Sequence, residues 1–228
     1  MRHLFLIFGL LLLIFGTLIV SSVNSAVAME FELVTLTNGE KAVLALGEIQ
    51  DGDDIQLDRI LSKTPRDQFG TKRIGLASLG GSVSAALKMV KIMDRHIVST
   101  FVQNMKCASA CASILYISGK YHWVVGGTLG MHTSYNGLTR EKNSLCNQAI
   151  ADNALAHGTP QGNVMAPMSN TAAGDMIWFN ADQAECYGLT RNPPGLKTKY
   201  PESIFGKCVD DFLADFESNK GRTVGRGR

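Results

Sequence analysis

The sequence carries almost no net charge. Its 22 Lys and Arg residues nearly balance its 20 Asp and Glu residues, which leaves a formal charge of +2 over 228 residues. A domain that binds nucleic acid through a broad surface carries a clear basic excess, so the composition does not indicate that function. Residues 220–228 place Lys and Arg among glycines, and we interpret this stretch as a solvated, flexible end.

Two kinds of metal-site pattern are also missing from the sequence. No two cysteines have the Cys-x-x-Cys spacing of a zinc site. The acidic run Asp51-Gly52-Asp53-Asp54 lacks the distal Glu of a calcium-binding EF-hand loop, and its carboxylates suit the N-terminus of a helix. We therefore expect neither a metal nor another cofactor.

The N-terminus has the pattern of a secretory signal peptide. Arg2 and His3 precede an apolar run, Leu4–Val20, and small residues follow at Ala26-Val27-Ala28. This order predicts cleavage after Ala28 and a periplasmic or secreted protein. The alternative is an uncleaved segment that anchors the protein in a membrane, because the apolar run approaches the length of a spanning helix. We expect a signal peptide over 1–28, one domain over 29–216 and a flexible basic tail over 217–228.

Five cysteines follow the predicted cleavage site. In an oxidising compartment some of them should form disulfides, and the odd number leaves one free or paired with another chain. A bond between Cys107 and Cys111 would rigidify the chain between them. The two could instead pack separately as small apolar residues, or form bridges to the more distant cysteines, Cys146, Cys186 and Cys208.

The hydropathy pattern predicts strands that alternate with helices. Residues 29–38 and 41–49 are typical of two strands, and Asn38-Gly39 between them indicates a hairpin. Residues 73–78 and 97–102 predict two further strands around an amphipathic helix that begins after Ser82. A strand, helix, strand order favours a right-handed crossover, so we expect an α/β fold with a mainly parallel sheet.

The second half of the sequence is less regular. Residues 108–117 are small and apolar and predict a helix, and residues 123–125 and 128–131 predict short strands. A looser polar region over 135–168 contains one short predicted helix, over 147–157. Asn180 is a good N-cap for a further helix that would end at Cys186.

Three short motifs in this order are suited to acyl-transfer chemistry. The turn Gly80-Gly81 opens a helix and can present backbone N–H groups to an oxyanion, although taken alone such a turn is more often a tight turn without a ligand. Ser109 lies between two alanines at a helix start, where the Ala110 N–H would point to the same place; it could instead be a helix cap. His132 follows a strand and is the one histidine placed to return to that serine as its general base.

These motifs resemble a known family. Leu-Gly-Gly-Ser-Val from Leu79, Cys-Ala-Ser-Ala-Cys from Cys107 and Leu-Gly-Met-His from Leu129 are similar to motifs of the proteolytic subunit of Clp protease (ClpP) and, more loosely, of the signal peptide peptidases. Gly47-Glu48-Ile49 and Ala184–Leu189 also match in position. The resemblance covers roughly residues 41–190 and implies a crotonase-like (ClpP-like) fold of repeated β-β-α units. The Cys-x-Ser-x-Cys motif and the signal peptide look like features of an exported branch of this family.

The resemblance assigns roles to individual residues. It makes Ser109 the nucleophile and His132 the general base, with Gly80 and Ala110 as donors to the oxyanion. The family's third member is an Asp shortly before the helix near Asn180. A gapless match places Met176 there, so Asp175, one residue earlier, and Asp182 are the candidates, and a Ser-His dyad is the alternative.

The resemblance therefore implies an exported serine hydrolase of the peptidase type. Its expected partners are a peptide or protein substrate and further copies of the same chain, with no nucleic acid. The alternative is a catalytically inactive binding or scaffold protein on the same fold. A third possibility, acyl-CoA chemistry, fits an exported protein poorly because CoA is a cytoplasmic cofactor.

Overall fold

The computed structural model describes residues 28–136, 139, 141–171, 174–200 and 208. All of the predicted signal peptide except Ala28, and all of the predicted tail, lie outside these residues. The described residues form strands β1 (Glu30–Thr35), β2 (Lys41–Leu46), β3 (Lys72–Ala77), β4 (Val98–Gln103), β5 (Lys106–Ala108), β6 (His122–Val125), β7 (Thr128–Met131) and β8 (Ile177–Phe179). Their helices are α1 (Asp53–Lys63), α2 (Val83–His96), the π-helix π1 (Cys111–Tyr116), α3 (Ser144–Ala156), α4 (Gln161–Ser169) and α5 (Ala181–Cys186).

The strands form two sheets. The larger has the order β1-β2-β3-β4-β6, in which β1 is antiparallel to β2 and the other pairs are parallel. The smaller has the order β5-β7-β8. This arrangement confirms the predicted hairpin and the α/β fold with a mainly parallel sheet.

The order strand, strand, helix occurs twice in the middle of the chain. Strands β4 and β5 are followed by π1, and strands β6 and β7 are followed by α3. In each case the first strand joins the larger sheet and the second joins the smaller one. A parallel bridge between Ser78 and Cys107 connects the end of β3 to β5. The carboxyl ends of β5 and β7 are therefore neighbours, which brings the residues after them together.

The sequence explains why the central strands lie deep in the fold. Most residues of β3 are buried, as is typical of a parallel strand covered on both faces. A Cβ on Gly75 would lie 2.8 Å from both Leu44 and Phe101 side-chain carbons, so flanking side chains fill this space. On α2, Ser82 is the N-cap and its hydroxyl accepts from the Ala85 N–H at 3.2 Å, as predicted.

Two predictions about the second half are wrong. The helix expected over 108–117 is shorter, because Ala108 ends β5 and the helical part, π1, begins only at Cys111. The region expected to be loose contains a second helix, α4, besides the predicted one. Pro160 lies at its N-cap and Pro167 inside it, and these prolines gave the segment the composition of a loop.

Candidate active site

Ser109 lies on the sharp turn between β5 and π1. Its φ is +55°, in the left-handed region that costs a non-glycine residue about 1–2 kcal/mol. Its N–H donates to the Gly130 carbonyl at 2.8 Å. The Ser113 N–H and hydroxyl both donate to the Ser109 carbonyl, at 2.9 and 2.8 Å. The surrounding backbone therefore holds Ser109 in a strained conformation, which is common at functional sites.

Gly80 makes room for this serine. A Cβ on Gly80 would lie 2.6 Å from the Ser109 Cβ, 3.1 Å from its Oγ and 2.9 Å from the Ala108 carbonyl oxygen. The φ of Gly80 is +107°, which side chains rarely adopt. Glycine is therefore required here both by its backbone conformation and by the close approach of the serine.

His132 meets Ser109 directly. It follows the last residue of β7, and its Nε2 lies 2.7 Å from the Ser109 Oγ. Burial lowers the pKa of His132 below its ordinary value, so the neutral imidazole is favoured. With the proton on Nδ1, the bare Nε2 accepts from the serine hydroxyl, which is the arrangement of a nucleophile and its general base. The Tyr135 ring packs edge-on against the imidazole, with centroids 5.6 Å apart.

The other described histidines bond elsewhere. His96 Nε2 lies 2.7 Å from an Asp58 carboxylate oxygen, and His157 Nε2 lies 3.0 Å from Asp94. His122 is fully buried and its Nδ1 lies 2.9 Å from the Gly119 carbonyl. Burial lowers the pKa of His122 to about 4, so it is neutral at physiological pH. These three have structural partners.

The Nδ1 atom of His132 is buried and has no hydrogen-bond partner among the described residues. Asp182 lies in the first turn of α5, where its carboxylate pairs with Lys199 at 3.0 Å. Asp175 is exposed, two residues before β8. The structure thus brings neither predicted aspartate to the imidazole, and the described geometry is a Ser-His dyad.

The backbone N–H groups predicted to bind an oxyanion differ in whether they already donate a hydrogen bond within the protein. The Gly80 N–H donates to the Ser78 hydroxyl at 3.1 Å. Gly81 forms a parallel β-bridge with Ile49. In this bridge the Ile49 N–H donates to the Gly80 carbonyl and the Ser82 N–H donates to the Ile49 carbonyl, so the Gly81 N–H takes no part in it. Ala110 lies directly before π1, where backbone N–H groups have no partner within the helix. The part played by Ser78 was missed from the sequence, because a serine two residues before a glycine has no distinctive pattern.

A groove opens beside the serine. Its volume is about 560 Å³, and Gly80, which touches Ser109, is part of its lining. Leu79, also in the lining, is 70% exposed. Ser109 and His132 are not among the residues that line the groove, and Gly80 is the lining residue that connects it to the serine. The remaining lining is formed by Gly47, Glu48, Ala77, Ser78, Gly81 and Lys106.

Two disulfides are present. Cys107 bonds to Cys111, so of the arrangements left open by the sequence the direct bond across Ser109 is the one observed. Cys186 bonds to Cys208. Cys146 is a free thiol and is half-buried.

The described part of the chain contains no group of three or more His, Cys, Asp or Glu side chains that could hold a metal ion. Within the same residues, no helix has both the length and the apolar character needed to cross a membrane. Comparison with models of known protein families gives no match, and comparison with curated proteins gives none either. The functional interpretation therefore depends on the geometry of the site.

Proposed function

We propose that this protein is an exported serine hydrolase of the peptidase type, built on a ClpP-like, crotonase-like fold. The observation that carries the proposal is the 2.7 Å contact between the Ser109 Oγ and the His132 Nε2. The positive φ of Ser109 and the groove beside it add support, because reactive serines often lie on strained turns next to a cleft.

The proposed reaction proceeds by acylation and deacylation. Ser109 Oγ attacks the substrate carbonyl carbon while its proton passes to His132 Nε2. The carbonyl oxygen becomes an oxyanion that accepts from the Ala110 N–H and from the Gly80-Gly81 turn, and each such donor contributes about 3 kcal/mol. His132 then gives its proton to the leaving amine, and the C–N bond breaks. Water, deprotonated by His132, releases the acyl group by the reverse steps.

The open Nδ1 of His132 sets an expected limit on the rate. In a complete triad a carboxylate orients the imidazole and stabilises its protonated form, and loss of that function costs about 10⁴-fold in kcat. A dyad should therefore react slowly. A peptide or protein segment lying in the groove beside Gly80 is the proposed substrate, and self-association of the chain is expected by analogy with the resembling family.

Labelling with a fluorophosphonate probe tests the proposal. We expect covalent labelling at Ser109, found by mass spectrometry, and its loss in both Ser109→Ala and His132→Ala. The control is Ser62→Ala, a serine on α1 whose hydroxyl bonds only within its helix, to Asp58. The Ser62→Ala variant should be labelled to the same extent as the wild type. If the folded wild type stays unlabelled while a reference serine hydrolase reacts, the proposal is wrong.

The second candidate function is a catalytically inactive binding or scaffold protein. The unpartnered Nδ1 of His132 favours it, because no carboxylate orients the imidazole or stabilises its protonated form. This candidate predicts that Ser109→Ala fully complements a deletion strain. Loss of complementation by that single change, in a variant that keeps its thermal stability, would exclude it.

A further inference from the structure

The Cys107–Cys111 disulfide spans the turn that presents Ser109. Cys107 is the central residue of β5 and Cys111 is the first residue of π1. Their Cα atoms are 5.3 Å apart, and their sequence separation is 4. The bond therefore closes a small ring that contains the proposed nucleophile and, at Ala110, a proposed oxyanion donor.

The hydrogen bonds around Ser109 leave one motion to be restrained. The bond from its N–H to Gly130 fixes it to β7, and the bonds from Ser113 fix its carbonyl to π1. Rotation about the strained φ of Ser109 would still swing π1 relative to β5. The disulfide joins β5 to π1 across that rotation, so it opposes relaxation of the left-handed conformation.

Both sulfurs lie in the hydrophobic core. Cys107 and Cys111 are 0% exposed, so a thiolate in solvent has no access to the bond in the folded protein. The disulfide must therefore form while the chain folds. A chain that folds without it lacks the restraint on Ser109.

We propose that the Cys107–Cys111 disulfide is a positioning element that holds Ser109 in its attacking geometry, so that the site becomes competent only once this bond has formed. Formation removes two electrons and two protons from the two thiols, and a disulfide-bearing oxidant takes them up as it becomes a dithiol. A chain that folds while both thiols are reduced would then remain inactive, because the folded protein gives an oxidant no access to them. This inference rests on the proposed hydrolase function.

The second disulfide of the chain provides a matched control. Cys186–Cys208 has a sequence separation of 22 and joins residues outside the ring around Ser109. Because the entropic effect of a disulfide grows with loop length, its loss should lower the thermal midpoint more than loss of Cys107–Cys111. Loss of Cys186–Cys208 should therefore lower the thermal midpoint more, whereas loss of Cys107–Cys111 should lower the labelling rate more.

The test compares Cys107→Ala/Cys111→Ala with Cys186→Ala/Cys208→Ala. For each, the maximal rate and the half-saturating concentration of fluorophosphonate labelling are measured with the thermal midpoint. We expect the first variant to lose at least about tenfold in maximal rate, because small displacements of a reacting group are costly, with little change in half-saturation. The control should stay within about twofold of the wild type in both quantities.

Other results would overturn the inference. It fails if both variants slow equally, if the Cys107→Ala/Cys111→Ala variant labels at the wild-type rate, or if that variant alone does not fold. Nuclear magnetic resonance of the His132 Nε2 provides a readout that does not require catalysis. Its chemical shift should change in the Cys107→Ala/Cys111→Ala variant and not in the control.

The resonance readout also separates this inference from the proposed function. If the wild type is not labelled but the His132 signal changes only in the Cys107→Ala/Cys111→Ala variant, positioning stands and the hydrolase proposal fails. If the wild type is labelled and the signal is the same in all three proteins, positioning fails and the hydrolase proposal stands.

Discussion

Met131 pairs with Ile177 as the last pair of the antiparallel β7–β8 ladder. Continued by one residue, the same register would place His132 opposite Met176. Side chains directly opposite each other in an antiparallel pair share a face of the sheet. Consistent with this, the Met176 sulfur lies 2.9 Å from where a Cβ on Gly130 would be, two residues before His132. We therefore expect a carboxylate at position 176 to lie close to the imidazole.

Met176→Asp should accelerate the reaction of Ser109. A carboxylate opposite His132 would orient the imidazole and stabilise its protonated form, so we expect labelling to rise at least about tenfold, out of the roughly 10⁴-fold that a carboxylate is worth in a triad. The pKa of His132 should rise at the same time. Labelling rates over pH 5–9 provide the measurement.

Met176→Leu is the matched control, because it keeps an apolar side chain of similar volume and should leave the labelling rate unchanged. If Met176→Asp folds with a raised His132 pKa and reacts no faster, orientation of the base does not limit the rate.

Neutralising the two predicted aspartates should have little effect. Asp182 pairs with Lys199, and Asp175 is exposed and forms no hydrogen bond to His132. We expect Asp175→Asn and Asp182→Asn each to stay within about twofold of the wild-type labelling rate, as surface changes usually do. A tenfold loss in either variant would show that the aspartate reaches His132 during the reaction.

The meeting of Ser109 and His132 was predictable because it follows from topology. A strand, helix, strand order requires parallel strands, and parallel strands end at the same edge of a sheet. Residues placed just after β5 and β7 are neighbours because these two strands pair in parallel. Strand β7 was predicted over 128–131, whereas the three-residue strand β5 was not predicted, because so short a strand carries no hydropathy pattern of its own.

The orienting group was not predictable in this way, because it depends on register. In a strand, a shift of one residue turns a side chain to the opposite face. The gapless match placed Met176 at the position of the expected aspartate, but an offset of a single residue would have placed Asp175 there instead. The disulfide between Cys107 and Cys111 was equally open, since a separation of four residues permits a bond without requiring one. The groove beside Gly80 combines residues from separate segments and has no local signature.

The pH dependence of labelling should report the burial of His132. In the proposed mechanism Ser109 needs the neutral imidazole as its base, so the labelling rate should fall when His132 becomes protonated. Burial lowers the pKa of this group from its ordinary 6.5, so the rate should reach half its maximum below pH 6.5 as the pH rises. A midpoint above pH 7 in the wild type would indicate an unrecognised negative charge near Nδ1.

Gly80→Ala should slow labelling strongly, with a moderate loss of stability. The new methyl group would collide with the Ser109 Cβ and the Ala108 carbonyl oxygen, at 2.6 and 2.9 Å. We expect at least about a 100-fold slower reaction, because the nucleophile itself must move. The measurements are the labelling rate and the free energy of unfolding in urea.

Gly39→Ala separates steric collision from backbone strain. Gly39 also has a positive φ, of +84°, but a Cβ there meets nothing within 4 Å. It should cost about 1–2 kcal/mol of stability, as a left-handed alanine does, and leave the labelling rate unchanged. Equal losses of labelling in the two alanine variants would contradict a local role for Gly80.

His122 should make the protein sensitive to acid. It is fully buried, with its ring edge-on to Tyr116, and burial lowers its pKa from 6.5 to about 4. Below pH 6.5 the unfolded chain binds a proton that the folded protein does not, so stability is present above that pH and is lost as the pH falls towards 4. The loss between pH 7 and pH 4 attributable to this group is about 3 kcal/mol.

His122→Asn keeps an N–H for the Gly119 carbonyl but does not titrate. The difference in urea unfolding free energy between pH 7 and pH 4 should therefore be about 3 kcal/mol smaller in the variant than in the wild type, while both should change equally between pH 7 and pH 8. If wild type and variant lose the same stability at pH 4, His122 does not cause the acid sensitivity, and other titrating groups are responsible.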